Sequence, residues 1–370
     1  GAPQQACCAT FIVFLALEMP ALAWAIAPHV RFHQARRGYH WGMSFLALLF
    51  AFFIEQVRPL APNNWVYRIL QTWIQWVSRT LDAGDVRLAW LTWSLVVVVP
   101  AVIATVVHWV LLWVFGWPVA MLWSMAILYV SLGFRQFSHH FTDIRDALDA
   151  GDERLARELL AQWQEVSVGT LPRFELIRHV IEHSVLSAHR HVFGVLAWFT
   201  VLAALGLGPA GAVVYRMGEW LSRLWWTSNQ QTKNWVSESL QASAKRAWHV
   251  IDWLPARMTA VAFAVVGNFE EVIDCWRNHA QRFPDDNDGV VLAATAGALN
   301  VRLGGEALSS HAAHESDADG HDDARSQDSE STPGRLPERG HLLSVVGLVW
   351  RSVVMWMLLL ALLTLARLLG

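Results

Sequence analysis

Charged residues are distributed very unevenly along the chain. Residues 88–134 contain no Asp, Glu, Lys or Arg, a run about twice the roughly 20 residues that cross a hydrocarbon core. The turn signal Gly116-Trp117-Pro118 divides it. The pattern predicts two antiparallel transmembrane helices, about 89–115 and 118–134, joined by a tight hairpin. Pro100 is expected to kink the first, which neighbouring helices tolerate. His108 reads as a neutral histidine facing the bundle. A second charge-free run, Val192 to Tyr215, is long enough to span and should end or bend at Gly206-Leu207-Gly208-Pro209-Ala210-Gly211. A third, Leu342 to Leu369, is interrupted by Arg351, placed to snorkel to the interface, and closed by Arg367. Two shorter apolar stretches, Met43 to Ile54 and Met258 to Asn268, fit half-buried helices, re-entrant helices or the ends of spans.

The polar segments have their own organisation. In 136–190, Ile144, Leu148, Leu155, Leu159 and Leu160 recur at helical spacing around Gly151-Asp152. That predicts a helical hairpin with Asp152 as N-cap. Residues 216–250 carry more Lys and Arg than Asp and Glu, which places them on the cytoplasmic side, with Arg68 and Arg79 in agreement. Phe11 to Val30 is apolar but holds Glu18 and Pro20, so Met43 is the expected start and residues 1–42 an apolar extension ahead of it. The main membrane domain is expected over 43–280, a polar linker over 281–341 and a terminal transmembrane helix over 342–370. Within the linker, 304–341 has no aromatic residue and cannot bury a core, so it is expected to be disordered. Its His311, His314 and His321 read as part of a solvated tether ahead of a weak metal site.

Composition sharpens this picture. Apolar residues make up 54% of the 370-residue chain and charged residues 16%, against roughly 25% charged in ordinary globular proteins. Twenty-two tryptophans against four tyrosines suit the edge of a bilayer. Disordered, collagenous and disulfide-scaffold classes are excluded, and Cys7, Cys8 and Cys275 form no disulfide framework. The net charge of −3 offers no basic field for nucleic acid. Nine acidic residues against Arg325, Arg335 and Arg339 give 304–341 a charge of −6, so the remainder carries +3. The fold class is all-α: a polytopic helical membrane protein with a cytoplasmic helical portion.

The common soluble-enzyme motifs are absent: GxxxxGK[ST], GxGxxG after a strand, HExxH and GxSxG. One helix stands out instead, with Arg173, Glu175, Arg178, His179, Glu182, His183, His189, Arg190 and His191 running into a charge-free span. Glu175, Arg178, His179 and Glu182 share a face. The plainest reading is a salt-bridged helix at headgroup level. Arg178, His183 and Arg190 would also suit an anion pocket, and His179 with His183, one turn apart, a metal. Ionisable groups at a membrane mouth are functional candidates. The second constellation is Asp252-Trp253-Leu254-Pro255-Ala256-Arg257-Met258-Thr259-Ala260. Pro255 suits a first helical turn, where Arg257 would pair with Asp252 or hold an anionic group.

That second run resembles the WIPARLTA-like signature of the CobD/CbiB family of membrane proteins, whose synthases form the amide joining cobyric acid to an aminopropanol arm. The family also contains AmpE, linked to β-lactamase induction. The resemblance covers about 43–280, including the apolar helix ending at Glu55, the paired spans and the hairpin at Gly151-Asp152. Asp252 before Trp253, Val265-Val266-Gly267-Asn268-Phe269-Glu270 and a terminal span after a polar linker look closer to the AmpE branch. The synthases' first Glu matches Glu182. Their Glu-Asn pair falls on Leu186 and Ser187, their Ser-Asp-Gly on His189, Arg190 and His191, and their Asn-Thr-Leu-Asp on Glu219, Trp220, Leu221 and Ser222. The departures favour an AmpE-like accessory or regulatory protein, a sensor or transducer with the bilayer, a small anionic ligand or a protein as partner. The alternative is an adenosylcobinamide-phosphate synthase-like amide ligase, which would imply Mg²⁺ and ATP. A transporter is disfavoured, because no inverted repeat is apparent.

Overall fold

The long charge-free run folds as two helices around a glycine turn. In the computed structural model, which describes residues 33–57, 65–164, 172–230, 236–305 and 331–369, these are α3 (Val86–Val114) and α4 (Trp117–Ser131). Gly116 between them has φ +83°, and the proline of Trp117-Pro118 opens α4. Such a left-handed φ is cheap only for glycine. His108 of α3 is buried and bonds through Nδ1 to Ser124 Oγ of α4 at 3.1 Å, the bundle-facing role expected of it.

Preceding them are α1 (His33–Val57) and α2 (Trp65–Leu81). In α2, Ile74 and Val77 are buried while Trp65, Ile69 and Trp76 stay exposed. Tyr67 donates to the Val130 carbonyl at the end of α4. An apolar outer face with tryptophans suits a helix lying in the interface plane. The polar hairpin is α5 (Phe134–Asp149) and α6 (Glu153–Gln164), turned by Gly151 at φ +80°. Asp152 Oδ1 accepts from Leu155 N at 2.9 Å, the expected N-cap.

Next, α7 (Arg173–Ala188) and α8 (Gly194–Ala204) form one continuous rod through a π-helical turn, His189–Phe193. The span is therefore 173–204, displaced from the expected Val192 to Tyr215. The chain bends at Leu205–Pro209, where Gly206 and Gly208 adopt positive φ, as the glycine cluster implied. Helix α9 (Ala210–Gln230) then packs against α8, α3 and the long helix that follows it.

The long α10 (Glu238–Val266) absorbs the stretch from Met258 that looked half-buried. Pro255 sits in its interior, so it opens no helix. Proline removes a backbone donor and frees the carbonyl four residues earlier. Here that carbonyl, Ile251 O, accepts from Trp198 Nε1 of α8 at 2.9 Å. The lost internal bond is replaced by one between helices.

Part of the expected linker is core. After α11 (Phe269–His279), α12 (Asp286–Leu299) is buried along nearly its whole length and lies against α10 and α11. Its residues are too small and too few to look like a span, yet Gly289 and Gly297 let neighbouring backbones approach. A Cβ at Gly297 would stand 2.5 Å from the Glu271 carbonyl oxygen. Residues 306–330, with the linker histidines, and 1–32 lie outside the described residues. The last helix, α13 (Arg339–Leu369), packs against α1, α7 and α10.

The described residues contain helices and no strands. Four helical segments are long and apolar enough to cross a membrane: α3, Arg173–Ala204, α10 and Arg339–Ala366; Phe45–Val57 and Trp117–Ser131 are shorter apolar helices. One end of the bundle collects the polar elements α5 to α7. The opposite end collects the α3–α4 and α8–α9 turns, which touch where Trp109 Nε1 donates to Gly206 O.

Candidate functional site

The π turn is what places the central polar side chains. A π-helical insertion shifts the i→i−4 ladder by one residue and is frequent at functional sites. Here it falls on His189, Arg190 and His191, sending the three to different partners. His189 points into the core, wholly buried. Its Nδ1 lies 2.9 Å from Thr259 Oγ1 and its Nε2 3.0 Å from Asp252 Oδ1. Asp252 Oδ1 also accepts from the Tyr215 hydroxyl at 2.7 Å. An ionised carboxylate can only accept, so His189 Nε2–H donates to Asp252, and Nδ1 shares the second hydrogen bond with the Thr259 hydroxyl. The network joins the π turn, α9 and α10.

Close packing makes that network possible. At Gly194 a Cβ would stand 1.9 Å from the Tyr215 ring, and at Gly211 2.0 Å from the Trp198 carbonyl oxygen. The two glycines bring α8 and α9 together, so that Tyr215 reaches Asp252.

Arg190 turns to the other side and pairs with Asp288 Oδ2 of α12 at 2.5 Å. Both side chains keep about a fifth to a quarter of their surface exposed (26% and 19%), so this pair is the accessible edge of the site. Asp288 lies in the first turn of α12, capped by Asp285. Its neighbour Asn287 bonds to Arg257, Nη1 to Oδ1 at 2.6 Å, and donates to the His249 carbonyl. Two arginines from different helices therefore hold consecutive residues of one helical turn. Arg257 also donates to Trp253 O and lies 4.6 Å from the centre of the Trp253 ring, a cation–π contact. The expected Arg257–Asp252 pairing is not formed, because Asp252 is committed to His189 and Tyr215.

Glu219 completes the cluster. It is buried and pairs with Arg216 at 3.1 Å and Arg223 at 2.7 Å. Glu219 and Asp288 lie on helices outside the four candidate spans. Burial pushes the Glu219 carboxyl up, but the guanidiniums of Arg223 and Arg216, with His191 and Arg190, overcome this and hold it down at about 2. For Asp288, burial dominates over the attraction of Arg190 and raises the carboxyl. His191 bonds back through Nδ1 to the Ser187 carbonyl at 3.0 Å.

The remaining candidates on α7 form a separate cluster. Arg178 is buried, pairs with Glu175 at 2.6 Å, contacts His179 Nε2 at 3.0 Å and donates to the Gly304 carbonyl. Glu182 Oε1 accepts from Gly304 N at 2.7 Å, and its Oε2 lies 3.6 Å from His179 Nδ1. The shared face of Glu175, Arg178, His179 and Glu182 thus works as a clamp on the chain at Gly304-Gly305. His183 packs edge-on against Trp163 at 4.3 Å, and Trp163 stacks on His140. Arg178, His183 and Arg190 accordingly do not assemble the joint anion pocket they would suit in sequence. His179 contacts Arg178 and Glu182, whereas His183 packs on Trp163.

The Mg²⁺ that a synthase would imply fits this donor set poorly. Among the described residues no three His, Cys, Asp or Glu side chains gather to hold a metal. Within the cluster Asp252 Oδ2 is buried with no hydrogen-bond partner among the described residues, and Glu219 Oε1 faces the Arg223 guanidinium at 2.7 Å. The cation within electrostatic reach of Asp288, Glu219 and Asp252 is Arg190 itself.

Tyr215, Glu219, Thr259 and Asp288 were missed as site residues. Only Glu219 carries a local signal, flanked by Arg216 and Arg223 at helical spacing. The others join through contacts between distant helices.

The CobD/Cbib protein family matches residues 44–333. A relative from Chromobacterium violaceum named "Cobalamin biosynthesis protein CobD" is 34% identical over 185 residues, covering 50% of this chain and 55% of the relative. A protein of the same name from Stutzerimonas stutzeri is 30% identical over 245 residues, 66% of this chain and 72% of its own length. One from Mycobacterium tuberculosis is 29% identical over 197 residues, covering 51% and 58%. The matched stretch thus spans little more than half of the first relative. No solved structure matches. These names overturn the expectation of an AmpE-like regulator of β-lactamase induction: the similar proteins are named for cobalamin biosynthesis.

Proposed function

Because the chain belongs to the CobD/Cbib protein family, we propose that it acts in cobalamin biosynthesis as an adenosylcobinamide-phosphate synthase-like membrane protein. In this reading it joins a carboxylate of cobyric acid to the amine of an aminopropanol unit. The observation that carries the proposal is the family match over 44–333, which includes every residue of the buried cluster. ATP, as co-substrate, would supply the phosphoryl group that makes the carboxylate oxygen a leaving group.

The chain's own residues divide into two roles. Arg190 and Arg257 lie at the partly exposed edge and suit carboxylate or phosphate groups, which guanidinium binds in a planar fork. Arg216 and Arg223 extend the positive surface but are offset by Glu219. His189, Asp252, Tyr215 and Thr259 are closed to solvent and bonded to one another through Asp252 Oδ1 and the His189 ring, so they act as positioning residues that fix the π turn and aim Arg190. The positions where the synthases carry Asp and Asn hold Arg190 and Glu219 here. The carboxylates around Arg190 come instead from α9, α10 and α12.

Complementation tests this directly. In a strain lacking the amide-forming synthase, the chain should restore cobalamin-dependent growth on cobyric acid, with cobinamide as the bypass control. Growth on cobinamide alone, with the protein present in the membrane, would contradict the proposal.

A further inference from the structure

The outer face of α13 carries a feature that the buried site does not use. Trp350, Arg351, Val354, Met355, Leu358, Leu359 and Leu362 line a shallow, open groove of about 590 Å³. The opposite face of the helix, with Leu342, Val345, Leu348, Val349 and Val353, is buried against the bundle. The groove therefore faces the lipid.

Arg351 is the unusual member. It is exposed, and its Nε donates back to the Gly347 carbonyl at 3.1 Å. Among the described residues no carboxylate pairs with it. Arg351 precedes Arg367 by sixteen residues, about 24 Å along a helix, so it lies just inside one boundary of a hydrocarbon core of roughly 30 Å. Two contacts orient the helix. Arg339 donates to Leu148 O of the polar hairpin, whereas Leu360 and Thr364 lie with Phe199 and Ala203 near the end of α8. The guanidinium thus snorkels toward the polar end of the bundle, and the apolar groove runs from it toward the bilayer centre.

From this arrangement we infer that the α13 face seats one anionic phospholipid, its phosphate on Arg351 and an acyl chain along Val354, Leu358 and Leu362. A cation in hydrocarbon is costly unless paired or drawn to the interface, and an anionic headgroup at this depth satisfies it. The adjoining groove has the polarity of a lipid tail and begins at the charge.

Native mass spectrometry on the full-length protein, titrated with phosphatidylglycerol or phosphatidylcholine, tests the inference. Wild type should retain phosphatidylglycerol about fivefold better, the effect of one basic residue near an anionic lipid. Arg351→Gln should bring that ratio to one. Leu358→Trp, which fills the groove, should lower retention of both lipids. Unchanged helical content and elution volume show that each variant is folded, as expected for lipid-facing positions. Equal retention of the two lipids by wild type, or a preference that survives Arg351→Gln, would overturn the inference. So would a dimer that excludes lipid and dissociates in Leu358→Trp, because a second copy would then cover this face.

Discussion

His189 and Asp252 meet at 3.0 Å with neither side chain exposed to solvent. One comes from a π-helical turn and the other from the middle of α10, and their bond fixes how those helices face each other. Removing a buried hydrogen-bond acceptor leaves each donor that faced it unsatisfied, at a cost of about 1–3 kcal/mol. Asp252→Leu should lower the thermal unfolding midpoint in detergent sharply, because His189 and Tyr215 both lose their acceptor. Asp252→Asn, which keeps an acceptor oxygen, should lower it less. Equal midpoints for Asp252→Leu and wild type would mean that the network does not hold the core together.

Gly194 bears on the same network from outside it. Gly194→Ala puts a methyl group into the Tyr215 ring, and overpacking of this kind costs about 1–3 kcal/mol. Tyr215 should be displaced from Asp252. Tyr215→Phe, which removes the hydroxyl while keeping the ring, should then add little further loss in the Gly194→Ala background. Additive losses in the double variant, read as unfolding midpoints, would show that the two residues are uncoupled.

Glu219 contributes to the acid sensitivity. Its carboxyl is held at about 2 in the folded chain, below the unfolded value of about 4.3. A carboxylate with a depressed folded pKa contributes stability that is fully present above its unfolded pKa. The contribution is lost as pH falls from about 4.5 toward 2. Wild type should therefore lose stability steeply across that window, and Glu219→Gln should be less stable at neutral pH with a shallower acid limb. Parallel acid curves for the two proteins would assign the sensitivity elsewhere.

The Arg178 clamp predicts a local effect. Arg178→Gln removes the bonds to Gly304 and Glu175, releasing the segment that Thr332 also ties down through Leu303. Trypsin should cut at Arg302 or Arg335 several times faster than in wild type, while the thermal midpoint moves little. Unchanged cleavage would show that the Leu303–Thr332 contacts hold the segment without Arg178.

The parts legible in the sequence are those set by local chemistry. Absence of charge over 88–134 gave the α3–α4 pair, glycine and proline gave its turn, and an aspartate after Gly151 gave the α6 cap. Three features escaped because they depend on long-range packing. Pro255 looks like a helix start until Trp198 supplies the bond that its neighbour's carbonyl needs. The three aspartates of 285–288 look like linker, although Arg190 holds one of them and the small residues after them fill the core. The π turn has no local signature in His189-Arg190-His191. That turn sends Arg190 to Asp288, while Arg178 is committed to Glu175 and Gly304, so the expected three-residue pocket does not form.

The most direct test of the account is product formation by membranes containing this chain. Supplied with cobyric acid, ATP and an aminopropanol substrate, wild-type membranes should form the amide-linked cobinamide product, resolved by chromatography and mass. Arg190→Gln membranes with equal protein should form at least tenfold less, a loss of about 1.4 kcal/mol or more in transition-state stabilisation. No product from wild type, under conditions where a CobD relative makes it, would contradict the proposed activity. Full activity in Arg190→Gln would contradict the role given to the exposed edge of the site.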